Sequence, residues 1–155
     1  MRTATTKFTA LLIAGLIAPT VALAAPKFQN GVTITDTGTA LVVTGTIIGV
    51  GNETVTVDLD ADATVETICL NPKGKDVPGQ TKMTTVDAEA DISPTKNGKI
   101  IINVATAAVT PGTCPNVQWE PIVGDVTFAN VTLTIEQGGV TLFECGGDAP
   151  ACVIN

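Results

Sequence analysis

Apolar and polar residues alternate along much of the chain beyond residue 30, and β-branched residues dominate the alternating stretches. The clearest examples are Val32–Thr35, Leu41–Thr44, Val55–Leu59 and Val131–Ile135. Successive side chains of a β-strand point to opposite faces, so a two-residue period predicts strands with one buried face and one exposed face. Because no window combines a helical period with capping residues, the sequence predicts an all-β chain.

We expect strands near residues 31–36, 40–48, 53–69, 81–92, 99–106, 117–123, 125–136 and 140–145. The long 53–69 stretch is expected to bend or to carry a bulge. Gly138 and Gly139 predict a two-residue hairpin loop that places Ile135 opposite Leu142. About seven to eight short strands with turns between them are typical of a single antiparallel β-sandwich of the immunoglobulin-like kind.

The first 24 residues have the three parts of a cleavable secretory signal peptide of a bacterial kind. Arg2 and Lys7 supply positive charge, and residues 8–18 supply an apolar core. Ala22 and Ala24 are the small residues that a signal peptidase reads. A membrane-spanning helix needs about 20 apolar residues, so this core is too short for an anchor. We therefore expect cleavage after Ala24, a secreted or periplasmic location, and no membrane insertion of the mature chain.

Residues 25–155 form one predicted domain, and it is strongly acidic. All 15 aspartate and glutamate residues lie in it, together with six of the eight basic residues, all lysines, which leaves a net charge of 6 − 15 = −9. Phosphate binding needs clustered lysine or arginine, so the composition argues against a nucleic-acid partner. The same charge opposes adsorption to anionic membranes and suits a protein that stays dispersed or meets cations.

The chain has no histidine, which removes most hydrolytic and metal chemistry. Ser-His-Asp and Cys-His arrangements are excluded, and zinc and copper sites lose their main ligand. A pair of carboxylates, as in glycoside hydrolysis, remains a candidate for catalysis. However, the chain has one tryptophan and no tyrosine, so it has few aromatic side chains that could stack on a sugar in a cleft. We expect no enzyme activity and a buried Trp119. The alternative is that Trp119 is an exposed platform for a ligand.

Two runs of alternating acidic residues are candidates for a cation site. The run 58–62 begins like a calcium-binding loop, but Ala63 replaces the glycine and Cys69 the glutamate that complete the pattern. In strands, the acidic residues of both runs point to solvent. If the runs were neighbours, like charges would face each other at a destabilising distance, and Ca²⁺ would relieve the repulsion. A solvated acidic face without a cofactor is expected, and weak Ca²⁺ binding is the alternative. The candidate ligands are Asp58, Asp60, Asp62, Asp87, Glu89 and Asp91.

The segment 71–80 contains two prolines and two glycines and is predicted to be the longest loop. It carries Lys73 and Lys75, two of the six lysines. Binding residues favour loops that a rigid scaffold holds in place. We expect a solvated connection, and the alternative is a binding loop formed by Asn71, Lys73, Lys75 and Gln80.

A set of short motifs runs through residues 40–142. The motifs are Cys69-Leu-Asn71 with Gly74 and Pro78-Gly79-Gln80, Lys96-Asn-Gly-Lys99, Val104-Ala-Thr-Ala-Ala108, Cys114-Pro-Asn116 with Trp119, and Asp125-Val-Thr-Phe128 with Leu133-Thr134. Together they resemble a family of small secreted bacterial proteins of unknown function, which combine a signal peptide with one threonine- and valine-rich β domain. The resemblance implies secretion and fold and lends no activity. The sequence departs from the family at 73–76 and in a second cysteine pair.

The four cysteines allow three pairings, and an even number in an exported protein predicts two disulfides. The resemblance implies that Cys69 and Cys114 form a pair shared by the family. Cys145 and Cys152 lie outside it and are expected to pair with each other, since glycines and a proline between them let the chain turn back. The rival pairing joins Cys69 to Cys145 and Cys114 to Cys152. The longer loop predicts that the first disulfide contributes most of the stability.

These observations favour an exported non-enzymatic protein that acts by surface contact. Envelope, matrix and adhesion-type components belong to this class, and the expected partner is an envelope molecule or a second copy of the chain. The alternative is an extracellular binding module for Ca²⁺ or a small ligand such as a glycan. A hydrolase with paired carboxylates is the third class.

Overall fold

The computed structural model describes residues 25–155, so the predicted signal peptide at 1–24 lies outside the described residues. The regular structure within 25–155 consists of eight β-strands and no helix. In chain order the strands are β1 (Lys27–Asp36), β2 (Leu41–Ile48), β3 (Val55–Leu70), β4 (Asp76–Pro78), β5 (Lys82–Ile92), β6 (Lys99–Ala105), β7 (Glu120–Gln137) and β8 (Val140–Cys145).

The strands form two antiparallel sheets packed face to face. A three-stranded sheet has the order β1-β2-β6. In a five-stranded sheet, β3 pairs with β4 and β5 along one edge and with β7 along the other, and β8 follows β7. The order matches strands A-B-E facing C′-C-F-G in an immunoglobulin-like sandwich, with β4 as a short addition. The predicted fold class is confirmed.

The core lies between the two sheets and is mainly aliphatic. Alternate residues of β3 point inward, and Val57, Leu59 and Val65 are completely buried. Leu41 and Ile100 meet them from the three-stranded sheet and are equally buried. Each such side chain contributes about 1.5–3 kcal/mol to folding when it leaves water. The alternating pattern therefore stabilises both sheets through one shared layer.

The bulges expected in the 53–69 stretch lie on a neighbouring strand instead. β3 pairs with β5 without a break from Val55–Ile92 to Val65–Lys82. Its register with β7 shifts twice, and each time β7 has the extra residue. Asn130, with a φ of 51°, lies at one of these shifts. Because the bulges let β7 bend without ending, a single strand replaces the two strands predicted at 117–123 and 125–136.

The β7–β8 hairpin also differs from its predicted register. Gln137 faces Val140 as expected, but a bulge in β8 places Phe143, not Leu142, opposite Ile135. This shift turns Phe143 toward the three-stranded sheet, where it makes an edge-to-face contact with Phe28 at 5.7 Å between ring centroids. Turn chemistry alone did not reveal the bulge, since the aromatic contact across the sandwich is a tertiary effect.

The C-terminal tail closes one lateral side of the sandwich. Ile154 makes a parallel bridge with Ile34 of β1. Asn155 donates its amide to the Ile34 carbonyl at 3.0 Å, and its carbonyl accepts from the amide of Asp36 at 3.0 Å. The tail leaves the five-stranded sheet at the end of β8 and pairs with the three-stranded sheet, so it connects the two layers.

Both disulfides have the predicted pairing. Cys69 at the end of β3 is bonded to Cys114, and Cys145 at the end of β8 is bonded to Cys152 in the tail. Two disulfides fit a protein of an oxidising compartment. Within residues 25–155, the structure contains no helix long and apolar enough to cross a membrane.

Candidate functional site

The two acidic runs are direct neighbours on the outer surface of the five-stranded sheet. The register of β3 and β5 places Asp58 opposite Glu89 and Asp60 opposite Asp87. Directly opposed residues have Cβ atoms about 4.5–5.5 Å apart, a distance at which like charges destabilise a sheet. The sequence left open whether the two acidic runs are neighbours. They are, because the unbroken register of β3 and β5 brings them together.

Neutral hydrogen-bond donors satisfy carboxylates toward the two ends of this array. The Thr56 hydroxyl donates to Asp91 Oδ1 at 2.7 Å, and the Asn130 amide donates to Asp62 Oδ2 at 2.8 Å. Asn130 reaches Asp62 from the bulge in β7, where its positive φ is one of two among the described non-glycine residues. The bulge thus places a neutral donor beside one end of the β3 run.

Asp60 lies in the middle of the array. Desolvation raises its pKa above the usual aspartate value, and the nearby charges of Asp58 and Asp87 raise it further. The folded protein therefore binds a proton at this carboxyl more readily than the unfolded chain does. Desolvation is the largest cause of the raised pKa, and the charges of the two neighbouring carboxylates act in the same direction.

The acidic surface continues onto the next strands. Glu136 of β7 pairs with Thr56, and Glu144 of β8 lies in the same row as Asp58, through Thr134. Thr56, Asp58, Glu89, Thr134 and Glu136 line a shallow depression. Glu136 and Glu144 were not among the predicted site residues, although both fall at outward positions of their strands. We call eight neighbouring outward carboxylates of this sheet, those in the rows from Thr56 to Asp62 of β3, the acidic face: Asp58, Asp60, Asp62, Asp87, Glu89, Asp91, Glu136 and Glu144.

The two sheets differ sharply in charge. Twelve of the fifteen acidic residues lie in the five-stranded sheet, which contains one lysine, Lys82. The strands of the three-stranded sheet contain Lys27, Lys99 and one acid, Asp36. Asp36 ends β1 and accepts a hydrogen bond from the Gly38 amide at 2.7 Å, in the turn to β2. We call the outer surface of this sheet the neutral face: Lys27, Thr33, Thr35, Val42, Thr44, Thr46, Ile48, Lys99, Ile101, Asn103 and Ala105.

The proposed Ca²⁺ ligands form a surface, not a cage. Outward residues of one strand repeat every two positions, which separates their Cα atoms by about 6.6 Å along a flat sheet. Ca²⁺ takes six to eight oxygen ligands that converge at about 2.3–2.6 Å. Among residues 25–155, no group of three or more Asp, Glu, Cys or His side chains converges closely enough to hold a metal ion.

The predicted loop at 71–80 is a short hairpin. Residues 76–78 form β4, which pairs with the end of β3 from Leu70–Asp76 to Ile68–Pro78. Asn71 Oδ1 accepts from the amides of Lys73 and Lys75 at 2.9 and 3.0 Å, so the asparagine closes the turn. Lys73 and Lys75 are exposed. The longest irregular segment that the structure describes is 106–119, not 71–80.

Gln80, the fourth residue of the candidate binding loop, is bound to that longer segment. Its side-chain oxygen accepts a hydrogen bond from the Thr113 hydroxyl at 2.8 Å, and its backbone N–H donates to the Thr113 carbonyl at 3.0 Å. Gly79 packs on β3, where an added Cβ would lie 2.7 Å from the Thr67 methyl and 2.8 Å from Cys69 Sγ. The glycine of the Pro-Gly-Gln motif therefore lets the backbone lie close to β3, beside the disulfide. Asn71 and Gln80 thus make hydrogen bonds within the chain, and Gln80, Lys73 and Lys75 are exposed.

Trp119 is not a core residue. It is partly exposed and lies in a turn, where its amide donates to the Asn116 carbonyl at 3.0 Å. Val117 in the same turn is 99 % exposed. The disulfide at Cys114 and the following proline hold this turn at one end of the sandwich, so Trp119 stays outside the interior. The prediction of a buried tryptophan was wrong because the aliphatic residues fill the core without it.

The site is thus a broad carboxylate surface on one sheet, not a cleft with converging groups. Its opposed acids belong to neighbouring strands of the same flat surface. Comparisons with protein-family models, with curated proteins and with solved structures find no match for this chain.

Proposed function

We propose that this is an exported, non-enzymatic β-sandwich protein that acts by surface contact, as an envelope, matrix or adhesion-type component, and that the acidic face is the surface that makes the contact. The concentration of carboxylates on one side of the sandwich carries the proposal. A flat surface of one charge suits a broad partner surface of the opposite charge better than it suits a small enclosed ligand.

The chemistry of the acidic face defines the partner. Opposed pairs such as Asp60 and Asp87 repel each other in the free protein. A cationic partner removes this repulsion when it binds, because each of its ammonium or guanidinium groups interacts with carboxylates from neighbouring strands. The partner class is therefore a positively charged protein or polymer of the cell exterior. Nucleic acids and anionic membranes are disfavoured by the same charge.

Binding to immobilised polylysine, a defined cationic probe, tests the role of the acidic face. The test variant is Asp58→Asn, Asp60→Asn, Asp87→Asn and Glu89→Gln combined. The control removes four exposed acids outside the acidic face, three of them at the other end of the same sheet and one after β8: Asp76→Asn, Glu120→Gln, Asp125→Asn and Asp148→Asn. Both variants change the net charge equally.

We expect the test variant to bind at least about tenfold more weakly, and the control to stay within about threefold of the unmodified protein. Equal losses in the two variants would show that net charge alone governs binding. That result would contradict the proposal that the acidic face makes the contact.

A Ca²⁺-binding module is the second candidate, and the opposed pairs Asp58–Glu89 and Asp60–Asp87 favour it. Its test is the melting temperature as a function of Ca²⁺ concentration, with NaCl of matched ionic strength as the control. A saturable rise at millimolar Ca²⁺ or below, absent with NaCl and lost in the test variant, supports the module. A response equal to that of NaCl supports contact through the acidic face without a bound ion.

The resemblance to a family of small secreted proteins supports export and stays a prediction. The two disulfides support the same location. Amino-terminal sequencing of the protein recovered from the periplasm or medium tests it, and a first residue at Ala25 is expected.

A further inference from the structure

β5 is an edge strand of the five-stranded sheet and has one long unpaired side. All eleven of its residues pair with β3 in an unbroken register, and no second strand within the described residues pairs with it. Among residues 25–155, no backbone group of 83–92 bonds to backbone outside the ladder with β3. The N–H and C=O groups on the far side of this stretch therefore form a template for another strand.

The inner side of the β5 edge leaves the core partly open. Ala88, Ala90 and Ile92 point inward and pack against the core, but each stays partly exposed. On β3, by contrast, every inward residue is buried. Apolar side chains of an added strand would lie against the two alanines from the open side and cover this surface.

The outer side of the same edge is anionic. Asp87, Glu89 and Asp91 point outward at alternate positions and are exposed. A strand added to a sheet lies about 4.8 Å from its neighbour, so its outward side chains stand directly opposite these acids. Basic residues at alternate positions would meet them as opposite-charge cross-strand pairs, which stabilise a sheet.

Charge complementarity selects the occupant of this edge. Pairing of β5 with β5 of a second copy would place the acids of one copy opposite those of the other, which is destabilising. Charged side chains are a usual means by which edge strands avoid such self-association. The same charges favour a basic segment, so the edge discriminates between a second copy and a cationic partner.

We propose that β5 binds an extended segment of a cationic partner protein as an added strand. Its lysine or arginine residues, at alternate positions, pair with the outward acids of β5, and the apolar residues between them pack against Ala88 and Ala90. Main-chain hydrogen bonds to the free side of β5 supply affinity, and the alternation supplies specificity. The inference rests on the proposed function, because it names the part of the acidic face that the partner occupies and the form in which it binds.

Hydrogen exchange with a defined peptide tests the added strand. The probe is Lys-Val-Lys-Val-Lys-Val-Lys, and the control peptide, Lys-Lys-Lys-Lys-Val-Val-Val, has the same composition and charge without the alternation. We expect the probe to bind with a dissociation constant of about 10 μM to 1 mM, and the control peptide to bind at least about tenfold more weakly. At saturation the probe should slow exchange at amides of 83–92 that point away from β3, and leave β8, at the opposite edge, unchanged.

Two matched variants of the protein locate the contact on β5. An added strand lies about 4.8 Å from β5 and about 9.6 Å from β3, and the second distance is close to the screening length of roughly 10 Å in 0.1 M salt. We therefore expect at least about tenfold weaker binding of the probe by the β5 variant, and a change within about threefold for the β3 variant. The β5 variant is Asp87→Asn, Glu89→Gln and Asp91→Asn. The β3 variant, which loses the same charge from the same face, is Asp58→Asn, Asp60→Asn and Asp62→Asn.

Equal losses in the two variants, equal binding of the two peptides, or unchanged exchange at 83–92 would overturn the proposal. Protection of these amides by the protein's own rising concentration would also overturn it, because the occupant would then be a second copy. Polylysine binding that depends on the acidic face, without protection of β5 by the probe, would retain the proposed function and remove the added strand. Polylysine binding that does not depend on the acidic face would instead remove the proposed function.

Discussion

The two outer faces of the sandwich cover the same core but differ in charge and in residue composition. The acidic face contains eight carboxylates on four adjacent strands. The neutral face contains threonine, isoleucine, valine and two lysines. Folding needs the inward residues of each strand, so the outward residues are free to vary in charge. The concentration of acids on one face is therefore a property of the surface and not a requirement of the fold.

The inner layers show how similar the two sheets are below the surface. Val57 and Leu59 of the five-stranded sheet are completely buried, as are Leu41 and Val43 of the three-stranded sheet. Like charges on the outer side of β3 oppose folding by an amount that this aliphatic layer offsets, since the burial of each side chain is worth more than an exposed charge pair. β3, which carries three of these acids, is buried at every inward position, so its inner side offsets the repulsion on its outer side.

Truncation of the core is the largest effect that the comparison predicts. Leu59→Ala and Leu41→Ala remove completely buried side chains from opposite sheets. Each is expected to lower the free energy of unfolding by about 2–5 kcal/mol, because both leave a cavity in the same layer. Urea denaturation measures both. A large loss from one sheet and a negligible loss from the other would contradict a shared core.

Removal of a disulfide is expected to have the next largest effect. Chain entropy assigns about 2–2.5 kcal/mol to the link between Cys145 and Cys152, against about 4 kcal/mol for Cys69 and Cys114. The tail also pairs with β1, so Cys145→Ala with Cys152→Ala should speed hydrogen exchange at Asp36 and Asn155, whose amides bond across that contact. Unchanged exchange rates would show that the tail stays paired with β1 without the Cys145–Cys152 disulfide.

Repulsion within the acidic face is the smallest predicted effect. A double-mutant cycle with Asp60→Asn and Asp87→Asn should give an unfavourable coupling near the low end of about 0.2–1 kcal/mol, because both residues are exposed. A cycle between Asp60 and the distant Asp125 is the control, and no coupling is expected there. A favourable coupling between Asp60 and Asp87 would indicate that a cation or a shared proton joins them.

The same repulsion has a defined pH dependence. The pKa of Asp60 is raised in the folded protein by desolvation and by Asp58 and Asp87. A carboxyl with a raised folded pKa stabilises the fold at low pH, and this contribution is lost as the pH rises through that pKa. Asp60→Asn should therefore be slightly more stable than the unmodified protein at neutral pH, and the difference should vanish in acid. A difference that grows in acid would contradict the shift.

The sequence predicted the parts of the fold that depend on local alternation. The pattern of β3 indicated its buried and exposed sides residue by residue, and the acids of both runs point outward as expected. The adjacency of the runs followed from the register with β5, which no local pattern specifies. The features that were missed depend on contacts between distant segments: the bulge at Asn130, the inward turn of Phe143, and the turn that keeps Trp119 outside the core.

Chemical-shift mapping by NMR during a titration with polylysine compares the two faces most directly. The account predicts that the shifts concentrate on outward residues of β3, β5 and β7, around Asp58, Asp60, Asp87 and Glu89, and that β1, β2 and β6 show none. Shifts spread evenly over both faces, or confined to the neutral face, would contradict the claim that the acidic face is the contact surface.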